Sequence, residues 1–295
     1  MVSVRLAASP SEVVSRQDLV KTGHVATYGI PSVEYRPATP GRELEIFTTE
    51  SLFDRFGIAE LSVHRRLAFH VVQLTVVAGN HDVDFGAVHL AERSLLHIRP
   101  GQVHRWLPDA NRAVIILFPQ GPWVEPFGPP GPTSPVLLDA VEMSTLQATL
   151  SFARDRLLAD PDPLVVAGLR DLVIAELAAG RRPLRVGPPA YLALVDRLEA
   201  GDFGRSIAHH AAAIGYSERT ISRACQEAVG LTAKELVDQR VALEARRRLT
   251  DDGATAAAVA RSLGFSEATN FVKFFRRLVG MTPTQWQAGL RVGSA

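Results

Sequence analysis

The chain has a single cysteine, Cys225, in 295 residues. One thiol cannot build an internal disulfide framework, and its scarcity fits a reducing cytoplasm. No run of about 18 apolar residues occurs, so no membrane-spanning helix is predicted. The opening segment MVSVRLAASPSEVVSRQ lacks the contiguous apolar core of a secretion signal. The net charge is only +1, too small to coat a nucleic acid by bulk attraction. Any nucleic-acid binding must therefore come from a local basic face. The remaining composition is that of an ordinary globular chain, 46% hydrophobic and 21% charged. Its length allows two domains of roughly 100–200 residues each.

Two breaks rich in proline and glycine divide the chain, GPPGPTSP at 128–135 and RRPLRVGPP at 181–189. Neither composition propagates a helix or a sheet. The predicted units are a β-rich domain over 1–127, a helical segment over 138–180 and a helical domain over 190–295. In the first unit, Phe69 to Val77 is dense in β-branched residues and runs into Gly79-Asn80, a turn signal. His81 to His89 reads as one further strand, Ser94 to Ile98 as another, and Arg112 to Phe118 as a third. Short strands separated by turns predict a sandwich or barrel. In the second unit, Leu146, Leu150, Ala153 and Leu157 form one helical stripe. Leu169, Leu172, Val173, Glu176 and Leu177 form another. Such amphipathic helices need a partner surface, either the rest of the chain or a second copy of it. The segment is expected to mediate homodimerisation.

The third unit holds an internal repeat. Gly215-Tyr-Ser-Glu begins one copy and Gly264-Phe-Ser-Glu the other, 49 positions later. The copies close on Val229-Gly-Leu-Thr232 and Val279-Gly-Met-Thr282, so the second is one residue longer. A recurrence of this length signals a duplicated supersecondary unit. In each, a short helix (Ser206 to Ile214; Thr255 to Leu263) meets a glycine at its C-cap. A serine, Ser217 or Ser266, is then expected to cap the next helix. Helix, tight glycine turn and helix make a helix-turn-helix pattern. Ile221, Ala224 and Cys225 in one copy, and Phe271, Phe274 and Phe275 in the other, are predicted to face inward. The opposite faces carry Arg219, Thr220, Ser222 and Arg223, then Thr269, Asn270, Lys273, Arg276 and Arg277. Such side chains can reach base edges and phosphates in a major groove. Thr232 to Leu249 is predicted to be a rigid helix joining the copies, with Leu236, Val237, Val241 and Leu249 buried. Arg246, Arg247 and Arg248 suit its C-terminal dipole. Residues 190–295 carry a net charge of +3 and the remainder −2.

Ala257 to Pro283 resembles the signature of the AraC/XylS family of bacterial transcription regulators, and the resemblance extends over about the last hundred residues. It implies two helix-turn-helix subdomains joined by a linker helix. It also implies base-facing positions at Arg219, Ser222 and Arg223, and at Ala268, Thr269 and Lys273. Lys273 stands where the family commonly has arginine, and Gln287 follows Trp286 where arginine is usual. Ala233 replaces a usual proline. Cys225 fills a place usually held by phenylalanine, which makes it a buried hydrophobe.

Pro100-Gly-Gln-Val-His104 is similar to the second motif of cupin barrels and to the regulatory domain of AraC-type proteins. The resemblance implies an α+β protein, a cupin-like β-barrel with a helical extension followed by the all-α double helix-turn-helix. It also implies a small-molecule effector in the barrel. His70, Gln73, His104 and Trp106 are the candidate pocket residues, and Arg65, Arg66 and Arg99 are candidates for pairing with an anionic effector. The rival reading is a metal-dependent cupin enzyme, for which His64, His70, His81, His89, His97 and His104 are the available imidazoles. Such a centre needs converging ligands, commonly His-x-His with a nearby glutamate. No His-x-His occurs in residues 1–130. The sequence therefore predicts no catalytic residue, metal or cofactor. The expected partners are double-stranded DNA, an effector, a second copy of the chain and RNA polymerase.

Overall fold

The computed structural model describes residues 30, 32–37, 42–107, 109, 111–121, 135–159, 162–179, 187–203, 206–251 and 253–292. The break at 128–135, apart from Pro135, and most of the break at 181–189 lie outside these residues.

The β-rich part contains β1 (Ser32–Val33), β2 (Glu45–Thr48), β3 (Arg65–Leu67), β4 (Phe69–Val77), β5 (Gly79–Val83), β6 (Gly86–Leu90), β7 (Ser94–Ile98), β8 (Val103–Trp106), β9 (Arg112–Pro119) and β10 (Val136–Leu137). Two short helices, α1 (Thr49–Phe56) and α2 (Ile58–Leu61), follow β2. The strands form two five-stranded sheets, β1-β3-β8-β5-β6 and β10-β7-β4-β9-β2. No strand pairs across from one sheet to the other among the described residues. The expected closed barrel is thus an open two-sheet sandwich. One core lies between the sheets, built from Leu67, Val83 and Trp106 on one side and Val71, Leu96, Ile98, Ile115 and Leu117 on the other.

The chain changes sheets at the end of β4, where Gly79-Asn80 reads in the sequence as a turn. Gly79 instead opens β5. A Cβ there would lie 2.5 Å from the Asn111 Cβ, so the close approach of that loop requires glycine. The predicted single strand from His81 to His89 is a hairpin. β5 and β6 pair antiparallel, with Val83 opposite Gly86 and Asp84-Phe85 as the two-residue turn.

The helical segment forms α3 (Ala140–Leu158) and α4 (Pro163–Ala178). Asp139 and Glu142 make a capping box at the start of α3, and Asp162 caps α4. Leu146, Leu150, Ala153 and Leu157 are buried, as are Leu169, Val173 and Leu177. They share one core with Leu44, Val72, Leu74, Ile116 and Phe118 on the outer face of the second sheet. That sheet is therefore covered on both faces, which explains the nearly unbroken apolar run of β9. Leu172, expected on the buried stripe, is 42% exposed; it lies on the flank of α4, beside the buried Leu169, Val173 and Ile174.

The C-terminal part is all helix: α5 (Pro189–Glu199), α6 (Ile207–Ile214), α7 (Glu218–Val229), α8 (Ala233–Arg248), α9 (Ala256–Ser262), α10 (Ala268–Val279) and α11 (Pro283–Val292). Its core contains Leu194, Ile221, Cys225, Val237, Val241, Val259, Phe271 and Phe275. No residue of the sandwich belongs to it. No helix among the described residues is long and apolar enough to cross a membrane.

Candidate nucleic-acid interface

The two helix-turn-helix units are α6–α7 and α9–α10. Gly215 adopts φ 76° and Gly264 φ 81°, the left-handed backbone that ends a helix and admits a sharp turn. Ser217 accepts a hydrogen bond from the Thr220 N–H and so caps α7 as predicted. The second copy departs from the expectation. Its N-cap is Glu267, with no side-chain cap, and Ser266 lies in the turn. The cause is the extra residue. Both recognition helices are 12 residues long and end on a left-handed glycine, Gly230 or Gly280. Counted from those glycines, the copies are offset by 50 and not 49. The insertion falls between Gly264 and Ala268 and delays the start of α10.

This register aligns the chemistry. Ile221 and Phe271 are equivalent and wholly buried, as are Cys225 and Phe275. Burial pushes the Cys225 thiol up to about 11, so it remains a neutral packing group. Arg219 matches Thr269, Thr220 matches Asn270, and Arg223 matches Lys273. Arg219, Arg223, Thr269, Asn270, Lys273 and Arg276 are exposed, while Thr220 and Ser222 are partly covered. The Thr220 hydroxyl pairs with the capping Ser217 hydroxyl at 2.8 Å. Arg277 is exposed yet engaged: it donates to the Asp238 carboxylate at 2.8 Å and lies over the Phe274 ring. A phosphate would have to compete with Asp238 for it.

The linker helix α8 is held at both ends. Thr232 and Glu235 form its capping box, and Val237, Val241 and Leu249 are buried. Leu236 is only partly buried. Gln287, at the place where arginine was the family's usual choice, donates to the carbonyls of Leu249 and Ala254 at 3.0 and 2.9 Å. It ties α11 to the end of the linker.

The four candidate pocket residues of the sandwich do not form one group. Side chains alternate across a strand, so His70 and Gln73, three apart on β4, face opposite sides. His70 points to the helix-covered face. It meets His97 at 2.9 Å and stacks on Phe118. Gln73 points between the sheets, and its Oε1 accepts a hydrogen bond from His81 Nδ1 at 3.1 Å. His81 Nε2 in turn meets His104 Nδ1 at 2.9 Å, with the two rings stacked. Trp106 packs edge-on against His81 at 4.7 Å. The Gln73 amide also donates to Asn111 at 3.2 Å, which completes a buried polar chain. His81, considered in the sequence only as a metal-ligating imidazole, and Asn111 thus join the pocket group; His81 lies two residues before Val83, on the same strand face. His104 Nε2 and Asn111 Nδ2 are buried with no hydrogen-bond partner among the described residues.

Burial lowers His81 to about 4, and burial with the nearby Arg99 charge lowers His70 to about 4. Burial also holds His97 and His104 well below the ordinary range. These rings are neutral in the fold. The unfolded chain takes up their protons near 6.5, so the stability they contribute is present above that pH and is lost as pH falls toward 4. No group of three or more potential metal ligands occurs among the described residues. Arg66 is turned away from the sandwich interior, toward the end of α8.

Comparison with known proteins bears on the C-terminal part. Residues 210–289 match the family described as a helix-turn-helix domain. A search of curated proteins found no match. Among solved structures, an AraC-type transcriptional regulator from Chromobacterium violaceum is 21% identical and aligns over 35% of this chain and 92% of its own, with a TM-score of 0.32. A DNA-binding transcriptional dual regulator from Escherichia coli K-12 is 20% identical over 36% of this chain and 96% of its own, with a TM-score of 0.32. A variant of apo ToxT from Vibrio cholerae covers 84% of this chain and 97% of its own at 10% identity, with a TM-score of 0.39.

Proposed function

We propose that the C-terminal part of this chain, whose residues 210–289 match a helix-turn-helix domain, is an AraC-type DNA-binding domain, and that α7 and α10 enter successive major grooves of double-stranded DNA. The protein is a DNA-binding transcription regulator. Grooves on one face of the duplex recur about every 34 Å, and a single rigid linker helix suits that spacing. The observation that carries the reading is the shared register of the two recognition helices. Each buries its apolar face against α8 or its neighbours and leaves a cationic side chain exposed at the same helical position, Arg223 or Lys273.

In this reading Arg219 and Arg223 read bases, because the guanidinium fork matches the guanine edge. Thr269, Asn270, Lys273 and Arg276 contact the second groove, and Arg277 joins them if it leaves Asp238. The sandwich takes a small effector beside His81 and His104, where the buried His104 Nε2 and Asn111 Nδ2 have no partner among the described residues. This favours the inner group of Gln73, His104 and Trp106 over His70. The helical segment makes the homodimer, since Val141, Phe152, Leu158, Leu164 and Leu172 are exposed on α3 and α4. RNA polymerase is the further protein partner, and the cytoplasm is the location. No observation favours the metal-dependent enzyme, for four of the histidines form two separate pairs, His70 with His97 on the helix-covered face of the second sheet and His81 with His104 on the first sheet.

Selection of bound duplexes from a random pool, using the full chain, tests the proposal. The expected product is a paired motif with its elements one helical turn apart. A pool that shows no enrichment removes the DNA-reading role from α7 and α10.

A further inference from the structure

The sandwich and the C-terminal helices share no hydrophobic core, yet they touch. The contact is polar, and it is concentrated on the end of the linker helix. Asp84, in the β5–β6 turn, takes Arg247 in a fork: Nε donates to Oδ1 at 2.8 Å and Nη2 to Oδ2 at 2.5 Å. Arg66, on β3, reaches the same turn of chain. It donates to Asp251 at 2.6 Å, to the Thr250 hydroxyl at 3.0 Å and to the Arg247 carbonyl. The Ile30 N–H adds a bond to the Thr250 carbonyl at 2.7 Å.

The apolar element of the contact is one side chain. Phe85 meets the Trp286 ring edge-on at 4.9 Å, and the Arg246 guanidinium covers both rings at 5.4 and 5.7 Å. Trp286 belongs to α11 and Arg246 to α8. A single side chain of the sandwich therefore bridges the linker helix and α11.

The turn that presents this side chain is unusual. Asp84 has φ 55° and Phe85 φ 67°. A two-residue hairpin turn with positive φ at both positions is normally supplied by glycine, asparagine or aspartate. A phenylalanine held there is strained, and strain of this kind persists where surrounding contacts fix it. The contacts that hold it here are those to Arg246 and Trp286, together with the His64 ring of the sandwich at 5.4 Å. Asp84 is also held from below, by the Gln102 amide at 2.8 Å and the Val103 N–H at 3.3 Å.

We propose that the Asp84-Phe85 tip is a releasable latch, which docks the DNA-binding domain on the sandwich through Arg246, Arg247 and Trp286. Charged groups that pair in a partly buried contact recover their hydration when the contact opens, so such a contact separates more readily than a shared apolar core. β5 carries both the tip and His81, so the strand that enters the buried polar chain also carries the latch. Release lets α5–α11 move as a body, without unfolding either part. The function proposed above supplies the meaning of that movement. The movement itself can be measured without DNA.

The test uses the full chain with nitroxide labels on cysteines introduced at two exposed sites, Glu92→Cys in the sandwich and Thr284→Cys in α11. Cys225 is buried and stays unlabelled. The parent is expected to give one narrow distance distribution. Phe85→Gly, which relieves the positive φ, and Arg247→Ala, which lies on the opposite side of the contact, are each expected to broaden it and shift it to longer distances. Circular dichroism establishes that both variants are folded, and Arg247→Lys replaces Arg247→Ala if that variant is not. A parent-like distribution in either folded variant overturns the proposal. DNA binding by the parent is scored separately, so loss of the DNA reading leaves the latch standing and the reverse also holds.

Discussion

The two helix-turn-helix units have recognition helices of one length and one register, but they differ in almost every other respect. The first has a short turn, a serine cap and a small core of Ile221, Ala224 and Cys225. The second has a longer turn, no side-chain cap and a core of three phenylalanines, with Phe271 and Phe275 wholly buried. The first offers two arginines, Arg219 and Arg223, where the second offers Thr269 and Lys273. The sandwich touches neither recognition helix through its hairpin tip; it meets α8 and, through Trp286, α11. The lesson is a division of labour within a duplicated unit. In the function proposed above, the first copy discriminates bases and the second serves more as a backbone anchor.

That comparison can be broken most directly at the cores. Phe275→Ala is expected to destabilise the C-terminal domain by about 3–5 kcal/mol, the usual cost of truncating a buried aromatic. The equivalent change, Cys225→Ala, removes one sulfur atom and should cost far less. Urea denaturation of both variants reads the difference, and equal midpoints would mean that the two cores carry the same weight. Next in size is base recognition. Arg223→Ala should cost roughly 1–3 kcal/mol of discrimination at one position of the bound sequence. Binding titrations on matched and mismatched duplexes measure it, and a uniform loss across sequences would move Arg223 to the backbone.

The caps give a smaller contrast. Ser217→Ala should cost about 1 kcal/mol in thermal or urea unfolding, as expected for an N-cap. Ser266→Ala should stay within about 0.5 kcal/mol, because its hydroxyl caps nothing. A matching loss at Ser266 would restore it as a cap and contradict the longer turn. The smallest effect is expected at Lys273. Lys273→Gln should weaken binding evenly across sequences and reduce the salt slope by about one phosphate contact. A change in sequence preference would instead place Lys273 on a base edge and make the two copies alike.

Much of the fold was legible from pattern. Phe69 to Val77 and Ser94 to Ile98 are strands with the predicted bounds, because β-branched density between turn residues is a local signal. The buried stripes of α3 and the helices of both repeat units were legible for the same reason. The β5–β6 hairpin was not. Its turn is Asp84-Phe85, which lacks the usual turn residues, so two strands read as one. Ser266 was misplaced because the copies were aligned from their first glycines. His70 and Gln73 were grouped by proximity in the chain, although a strand's twofold alternation separates them. Arg246 and Arg247 were legible as charges that suit a helix end. Nothing local to them indicates that they meet Phe85 and Asp84, more than 160 positions away in the chain.

The extra residue between Gly264 and Ala268 has a practical consequence for redesign. An engineer who wishes to transplant the reading face of one unit onto the other must choose where to start counting. Counting forward from Gly215 and Gly264 moves every grafted side chain one place along the helix, a rotation of about 100° at 3.6 residues per turn. Residues chosen for the groove would then be delivered to the flank, and core residues to water. Counting back from Gly230 and Gly280 preserves the face, so these closing glycines are the reference points for any chimera.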